Sequence, residues 1–428
     1  MSAPPTGPAS GLRAGQRPSA GWSRLPRLLG PAFVAAVAYV DPGNVAANMT
    51  AGAQYGYLLL WVLVVSNAMA VLVQYLSARL GLVTGQSLPQ LLGGRLRTGP
   101  RRAFWLQAEI VAAATDLAEV VGGALALSIL FGTPLLLGGV IVGTVSMALL
   151  AVQSRRGQRP FERVVMGLLA VLTLGFLCGL FVDAPDWGAA AGGLVPQFAG
   201  TPTVVLAASM LGATVMPHAV YVHSALVRDR YDVQATAPGA TVARPSGDLL
   251  RAIRWDVVLS LIIAGTVNIA MLLLAASSLA GVAGTDTLEG AHAAITASLG
   301  PVVGVAFGIA LLASGLASTS VGCYAGATIM AGLLRIRVPL LLRRAITLVP
   351  ALALLAWGAD PTLSLVLSQV LLSLGIPFAL IPLVRLCSDR GLMGSLAVRG
   401  WLRAAAWAVV AAVVALNVVL VGLTVLGG

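Results

Sequence analysis

Eleven stretches of this chain are long and apolar enough to cross a bilayer as helices, and most are separated only by short polar turns. A helix needs about 20 apolar residues to span the hydrocarbon core. That window falls at 28–53, 58–80, 103–131, 135–152, 161–182, 203–227, 255–280, 301–333, 339–357, 362–386 and 402–426. Of the 428 residues, 58% are hydrophobic and 10% charged, whereas soluble domains carry about 25% charged residues. The chain therefore reads as an all-α polytopic membrane protein. A net charge of +11 would suit a nucleic-acid partner, but its placement argues against one.

All 26 basic residues are arginine, and they gather on alternate loops. Arg13, Arg17, Arg24 and Arg27 precede span 1. Arg95, Arg97, Arg101 and Arg102 lie between spans 2 and 3, and Arg155, Arg156 and Arg159 between 4 and 5. Arg228, Arg230, Arg244, Arg251 and Arg254 lie between 6 and 7, Arg335 and Arg337 between 8 and 9, Arg390 and Arg399 between 10 and 11. The loops 183–202, 281–300 and 358–361 carry Asp183, Asp186, Asp286, Glu289 and Asp360 but no arginine. The positive-inside rule then expects a multi-pass protein of the cell (plasma) membrane with a cytoplasmic N-terminus and an extracytoplasmic C-terminus. Residues 1–27, rich in Pro, Gly, Ser, Ala and Arg and free of acids, are expected to be a disordered cytoplasmic tail. Cys178, Cys323 and Cys387 are far apart and read as packing residues. No GxxxxGK[ST] segment is present, so transport by this chain would run on ion gradients.

Two spans are interrupted. Span 1 carries DPGN at 41–44, and span 6 carries MPH at 216–218. Proline removes a helical hydrogen bond, and in hydrocarbon the freed carbonyls survive only where protein or a wet cavity satisfies them. Spans 1 and 6 are five apart, an odd number, so two five-helix halves would enter the membrane in opposite senses. Broken helices at matching positions of two inverted halves, here 28–182 and 203–386 with 402–426 appended, place a site at the midplane of a secondary transporter.

The residue types at the breaks favour a cation. Asp41 is a hard anionic ligand, Asn44 offers an amide oxygen, and the break near Ala213 should release a backbone carbonyl. Oxygens alone would suit Mg²⁺, Ca²⁺ or Na⁺; the thioether of Met216 shifts preference toward softer transition metals such as Mn²⁺ or Fe²⁺. A methionine in a span is usually packing and a proline usually a kink. A carboxylate at mid-bilayer is costly enough to imply a function.

These segments resemble the paired signatures of the Nramp family of proton-coupled divalent-metal transporters. Flanking text is similar too, in GPAFVAAVAYVDPGNVAANMTAGAQYGYLLLWV, QAEIVAAATDLAEVVGGALAL, GATVMPHAVYVHSAL, LLASGLASTSVG and LVLSQVLLSLGIPFALIPL. The resemblance, from about Leu28 onward, implies a LeuT-like 5+5 inverted repeat of ten core helices with an eleventh appended. It implies metal coordination by Asp41, Asn44, Met216 and the Ala213 carbonyl, joined in some conformations by the Ala38 carbonyl and Gln369. It further implies manganese import coupled to protons, with no enzymatic activity and no cofactor, the metal ion being the cargo.

For the proton, Asp116 and Glu119 are three residues apart and share a helix face. Arg344 and Arg343, opening span 9, are expected to supply counter-charge, as in the family; a topogenic or snorkelling role is the alternative for Arg343. His218, two residues beyond Met216, could couple metal occupancy to protonation, and His223 could extend the path. A structural ion pair is the bland reading of Asp116, Glu119 and Arg344. Glu109 is expected to pair locally, and His292 to lie in a solvated outer loop. The rival function is a Na⁺-coupled organic solute symporter on the same fold, which would not need the thioether. A metalloenzyme would want an HExxH-like cluster, which three histidines without that motif do not provide.

Overall fold

The structure is a computed structural model that describes residues 30–425 apart from 157, 232–244, 246, 286 and 337. The expected tail at 1–27, most of the 228–254 loop, Asp286 and Arg337 lie outside the described residues. No strand occurs among the described residues.

Span 1 is α1 (Pro31–Val37), a 3-10 turn (Ala38–Val40) and α2 (Pro42–Tyr55). Span 2 is α3 (Leu60–Thr84), followed by the short α4 (Leu88–Arg95). Spans 3 to 5 are α5 (Thr98–Phe131), α6 (Leu135–Arg156) and α7 (Gln158–Cys178). After the short α8 (Trp187–Gly192), span 6 is α9 (Thr201–Thr214) and α10 (Pro217–Arg230). Span 7 is α11 (Gly247–Ser278), and α12 (Leu288–Leu299) leads into span 8, α13 (Pro301–Leu333). Spans 9 and 10 are α14 (Leu340–Trp357) and α15 (Pro361–Ser388); the short α16 (Arg390–Met393) precedes span 11, α17 (Gly400–Val425).

All eleven expected spans are helical. Among the described residues nine helices are long and apolar enough to cross a membrane, and shorter apolar helices at Pro31–Val40 and Leu135–Ala151 supply the other two spans. Helices α5 and α11 begin earlier than expected, because a hydropathy window stops at Arg101, Arg102, Arg251 and Arg254 while the backbone stays helical. The connections are less plain than the sequence implied. Asp186 caps α8 by accepting from the Gly188 and Ala189 amides, and Thr287 caps α12 by accepting from Gly290. A Ser87–Gln90 capping box starts α4, which satisfies two otherwise orphaned amides. On α12, His292 is half-buried beside Phe307 rather than in an open loop. Burial raises the pKa of Glu289 and lowers that of His292.

The packing has the expected symmetry. Helix α2 lies on α11 as α10 lies on α3; α1 lies on α7 as α9 lies on α15; α13 lies on α7 as α5 lies on α15. Spans 3 and 8 pack together, as do spans 4 and 9. Exchanging spans 1–5 for 6–10 maps these contacts onto one another, the signature of a 5+5 repeat. Span 6 is the most enclosed of the long spans, whereas spans 5 and 9 are among the most open. Span 11 packs outside this core on α15 and α9.

Candidate metal centre between the broken helices

In each interrupted span the proline is the first residue of the second half-helix, where its missing N–H costs nothing. The residue before it is extended, as proline demands: Asp41 has ψ 169° and Met216 ψ 124°. Prolines 350, 377 and 382 lie inside α14 and α15 without ending them, so proline alone does not dictate a break.

Which carbonyls the breaks release follows from helix arithmetic. An α-helical carbonyl accepts from the amide four residues on. For Ala38 that residue is Pro42, and for Ala213 it is Pro217, neither of which has an N–H. The two expected carbonyl ligands are thus the pair that the prolines free. Ala213 O accepts from Asn44 Nδ2 at 3.0 Å. Neighbouring carbonyls are satisfied from other spans, as burial requires: Tyr39 O accepts from Asn268 Nδ2 at 2.8 Å, and Val40 O from Ser314 Oγ at 2.5 Å.

Asp41 is at the hub. Wholly buried, its carboxylate caps α2 by accepting from the Asn44 amide at 2.8 Å, where the helix dipole also favours a negative charge. Oδ1 accepts from Asn44 Nδ2 at 2.7 Å, and Oδ2 from Gln369 Nε2 at 3.0 Å. Asp41, Asn44, Gln369 and the Ala213 carbonyl therefore form one connected group drawn from spans 1, 6 and 10. Met216 is buried at the start of α10, three residues beyond Ala213, and Ala38 is buried three residues before Asp41. The oxygens Asn44 Oδ1 and Gln369 Oε1 have no hydrogen-bond partner. Glycines make the close approach possible: a Cβ on Gly43 would strike the Gln369 side chain, one on Gly212 the Gln369 carbonyl, and one on Gly122 would strike Pro42. Among the described residues no group of three or more His, Cys, Asp or Glu is placed to hold a metal ion together. A cation here would rest on one carboxylate and neutral donors.

Beside this centre runs a chain of ionisable groups. His218 Nδ1 lies 3.4 Å from Thr115 Oγ1 on α5. Next to Thr115, Asp116 faces Arg344 across 3.6 Å, and Arg344 Nε donates to Ser146 Oγ at 2.9 Å. Glu119 and Asp116 both point toward Gly322 on α13, where a Cβ would meet oxygens of each. Glu119 is buried beside Asp116. Glu109 pairs not locally but with Nη1 of Arg343 in span 9, at 2.7 Å, and Arg343 is 3% exposed. That buried pairing replaces the snorkelling alternative. In this group the acids Asp41, Glu109, Asp116 and Glu119 outnumber the bases Arg343 and Arg344, which leaves an excess of acidic side chains beside the centre.

His223 lies elsewhere. Its Nδ1 is 2.6 Å from Gln74 Oε1, and Gln74 Nε2 donates to Tyr39 OH. With Asn268 on Tyr39 O, and Asn48 Nδ2 donating to Asn268 Oδ1 at 2.9 Å, a second polar chain joins spans 1, 2, 6 and 7. Sequence reading singled out only His223 of its members. The span-7 member of the network, Asn268, is 229 residues from Tyr39, and no local spacing reveals such a partner.

The chain is similar to known proteins in both sequence and fold. A family model described as natural resistance-associated macrophage protein-like, Nramp, matches residues 32–423. The divalent metal cation transporter MntH of Mycobacterium tuberculosis is 57% identical over 400 residues, covering 94% of this chain and 92% of that protein. MntH of Bacillus subtilis is 43% identical over 406 residues, covering 94% and 93%. A crystal structure of the Eremococcus coleocola manganese transporter, in complex with an aromatic bis-isothiourea substituted compound, has a TM-score of 0.83 at 29% identity over 95% of this chain and 88% of that one. MhsT in complex with L-phenylalanine has a TM-score of 0.61 at 16% identity over 90% and 98%, a likeness of fold alone, and that fold is LeuT-like.

Proposed function

The chain belongs to the Nramp family, and from that premise we propose that it imports Mn²⁺, and Fe²⁺ as a second substrate, in symport with protons. The observation that carries this reading is the connected group of Asp41, Asn44, Gln369 and Ala213 O at two helix breaks, with Met216 at the second. Two amide NH₂ groups donate to Asp41, and each belongs to an amide whose oxygen is unpartnered. Rotating those amides exchanges donors for acceptors, so the same side chains serve a bare carboxylate or a bound cation. Met216 adds a soft donor that Mn²⁺ and Fe²⁺ accept and Ca²⁺, which takes oxygen ligands, does not reward.

The protein lies in the plasma membrane with its arginine-rich loops inside and its C-terminus outside, and works by alternating access. Spans 1 and 6 rock against the remaining spans and present the site to each side in turn. Inward movement of a cation is aided by about 2.3 kcal/mol per elementary charge per 100 mV. A proton leaves Asp41 as metal binds, and Asp116 passes it toward Glu119 and the arginines. The acid excess near Arg344 and the His218–Thr115 contact beside Asp116 support that route.

The test is proton entry measured with a lumenal pH dye in proteoliposomes at clamped voltage. Mn²⁺ addition should acidify the lumen, and Asp116→Asn should suppress acidification more than Mn²⁺ uptake. Mn²⁺ uptake by the wild type with no acidification would overturn the coupling.

A further inference from the structure

A second site, at the arginine-rich end of span 3, has a chemistry that transport does not use. A cavity of 380 Å³ is lined there by Arg101, Arg102, Trp105 and Leu106 of α5 and by Leu334 and Ile336 beyond α13. We propose that this cavity seats one anionic phospholipid, with its phosphate on the two arginines and the start of an acyl chain against Leu106, Leu334 and Ile336.

Helical spacing sets the layering. Arg101 stands one turn above Trp105, and Arg102 one turn above Leu106, which is about 6 Å along the axis. From water inward the wall therefore runs from guanidinium to indole to aliphatic side chain, the order of a headgroup, an interface and a hydrocarbon chain. Among the described residues neither arginine belongs to an ion pair. Arg101 Nε and Trp105 Nε1 are both shielded from solvent and have no hydrogen-bond partner. Both are obligate donors, and a phosphate diester supplies anionic acceptor oxygens that suit them. The opposite wall, Leu334 and Ile336, is apolar. Ile336 there and Leu106 below the arginines are each 53% exposed, an arrangement that a small soluble anion would leave uncovered and an acyl chain would cover. Arg335, between the two wall residues on that side, has φ 62°, rare for a residue with a Cβ; this turn ends span 8 and leaves Leu334 and Ile336 both on the cavity.

A lipid held there bridges the start of α5 and the end of α13, the two helices that together enclose Asp116, Glu119 and Gly322. The inference rests on the chain spanning a membrane; it depends neither on the transported ion nor on which face is cytoplasmic.

Trp105 is its own reporter. The full chain would be reconstituted in phosphatidylcholine with increasing phosphatidylglycerol, one or the other brominated on its acyl chains, and Trp fluorescence recorded. Because the chain has eight tryptophans, the Trp105 signal is taken as the difference from Trp105→Phe. Brominated phosphatidylglycerol should quench that signal at a low mole fraction and brominated phosphatidylcholine should not. Each of Arg101→Gln and Arg102→Gln should raise the half-quenching mole fraction about fivefold. Equal quenching by the two lipids, or an unchanged midpoint in both variants, overturns the proposal. So does relief of quenching by millimolar inorganic phosphate, which would mark a soluble-anion site. The comparison of lipids uses the native arginines, so the preference for phosphatidylglycerol is read even where an arginine variant fails to fold.

Discussion

Two serines one turn apart on α13 separate the helix-break argument from ordinary packing. Ser314 Oγ donates to Val40 O at 2.5 Å, and Ser318 Oγ to Ser314 O at 2.8 Å. Both side chains are fully buried. Their acceptors differ in what else they have. The amide that would serve Val40 O in an unbroken helix belongs to Asn44, and it is turned onto the Asp41 carboxylate. Ser314 O sits inside a continuous helix, where the Ser318 amide serves it whether or not the hydroxyl is present. Ser314→Ala therefore orphans a buried carbonyl and should cost about 1–3 kcal/mol. Ser318→Ala should fall within about 0.5 kcal/mol of neutral, since it removes a redundant back-bond and gains helix propensity. Reversible unfolding in mixed detergent micelles, followed by tryptophan fluorescence, measures both. Equal losses, or a larger loss for Ser318→Ala, would refute the claim that freed carbonyls at the break are held by specific partners.

Other consequences follow from the same geometry. Gly43→Ala places a methyl group on the Gln369 side chain and should lower Mn²⁺ uptake at least tenfold, corresponding to one charge-assisted hydrogen bond of about 1.5–3 kcal/mol; Gly43→Ala with Gln369→Ala should show smaller than additive loss, and strict additivity would contradict the contact. Arg344→Gln strands Asp116 in a buried site and should destabilise by about 3–5 kcal/mol. Adding Asp116→Asn should recover part of that loss in the same unfolding assay, and no recovery would mean the 3.6 Å pair carries no coupling.

Much of this was legible in the chain because the relevant signals are local. Apolar windows located every span, and DPGN and MPH located both breaks. The spacing rule behind the Ala213 carbonyl applies equally to Ala38, four residues before Pro42, so that carbonyl was readable without any resemblance. What stayed hidden depends on juxtaposition. Asn268 and Gln74 look like isolated polar residues in apolar helices, and only the fold shows that they satisfy Tyr39 from spans 7 and 2. Arg101 and Arg102 read as loop charges because hydropathy cannot follow a helix beyond the hydrocarbon. Arg343 stood near a span end, and its burial against Glu109 comes from a helix six spans earlier.

The central claim is that one carboxylate and one thioether at the paired breaks choose the ion. Mn²⁺ uptake into proteoliposomes at fixed voltage and proton gradient, with Ca²⁺ and Mg²⁺ as competitors, tests it most directly in wild type, Asp41→Ala and Met216→Ala. The account predicts saturable Mn²⁺ entry that Asp41→Ala abolishes, and Met216→Ala transport that Ca²⁺ inhibits far more strongly than it inhibits wild type. Unchanged competition by Ca²⁺ in Met216→Ala, or Mn²⁺ entry surviving in Asp41→Ala, would contradict it.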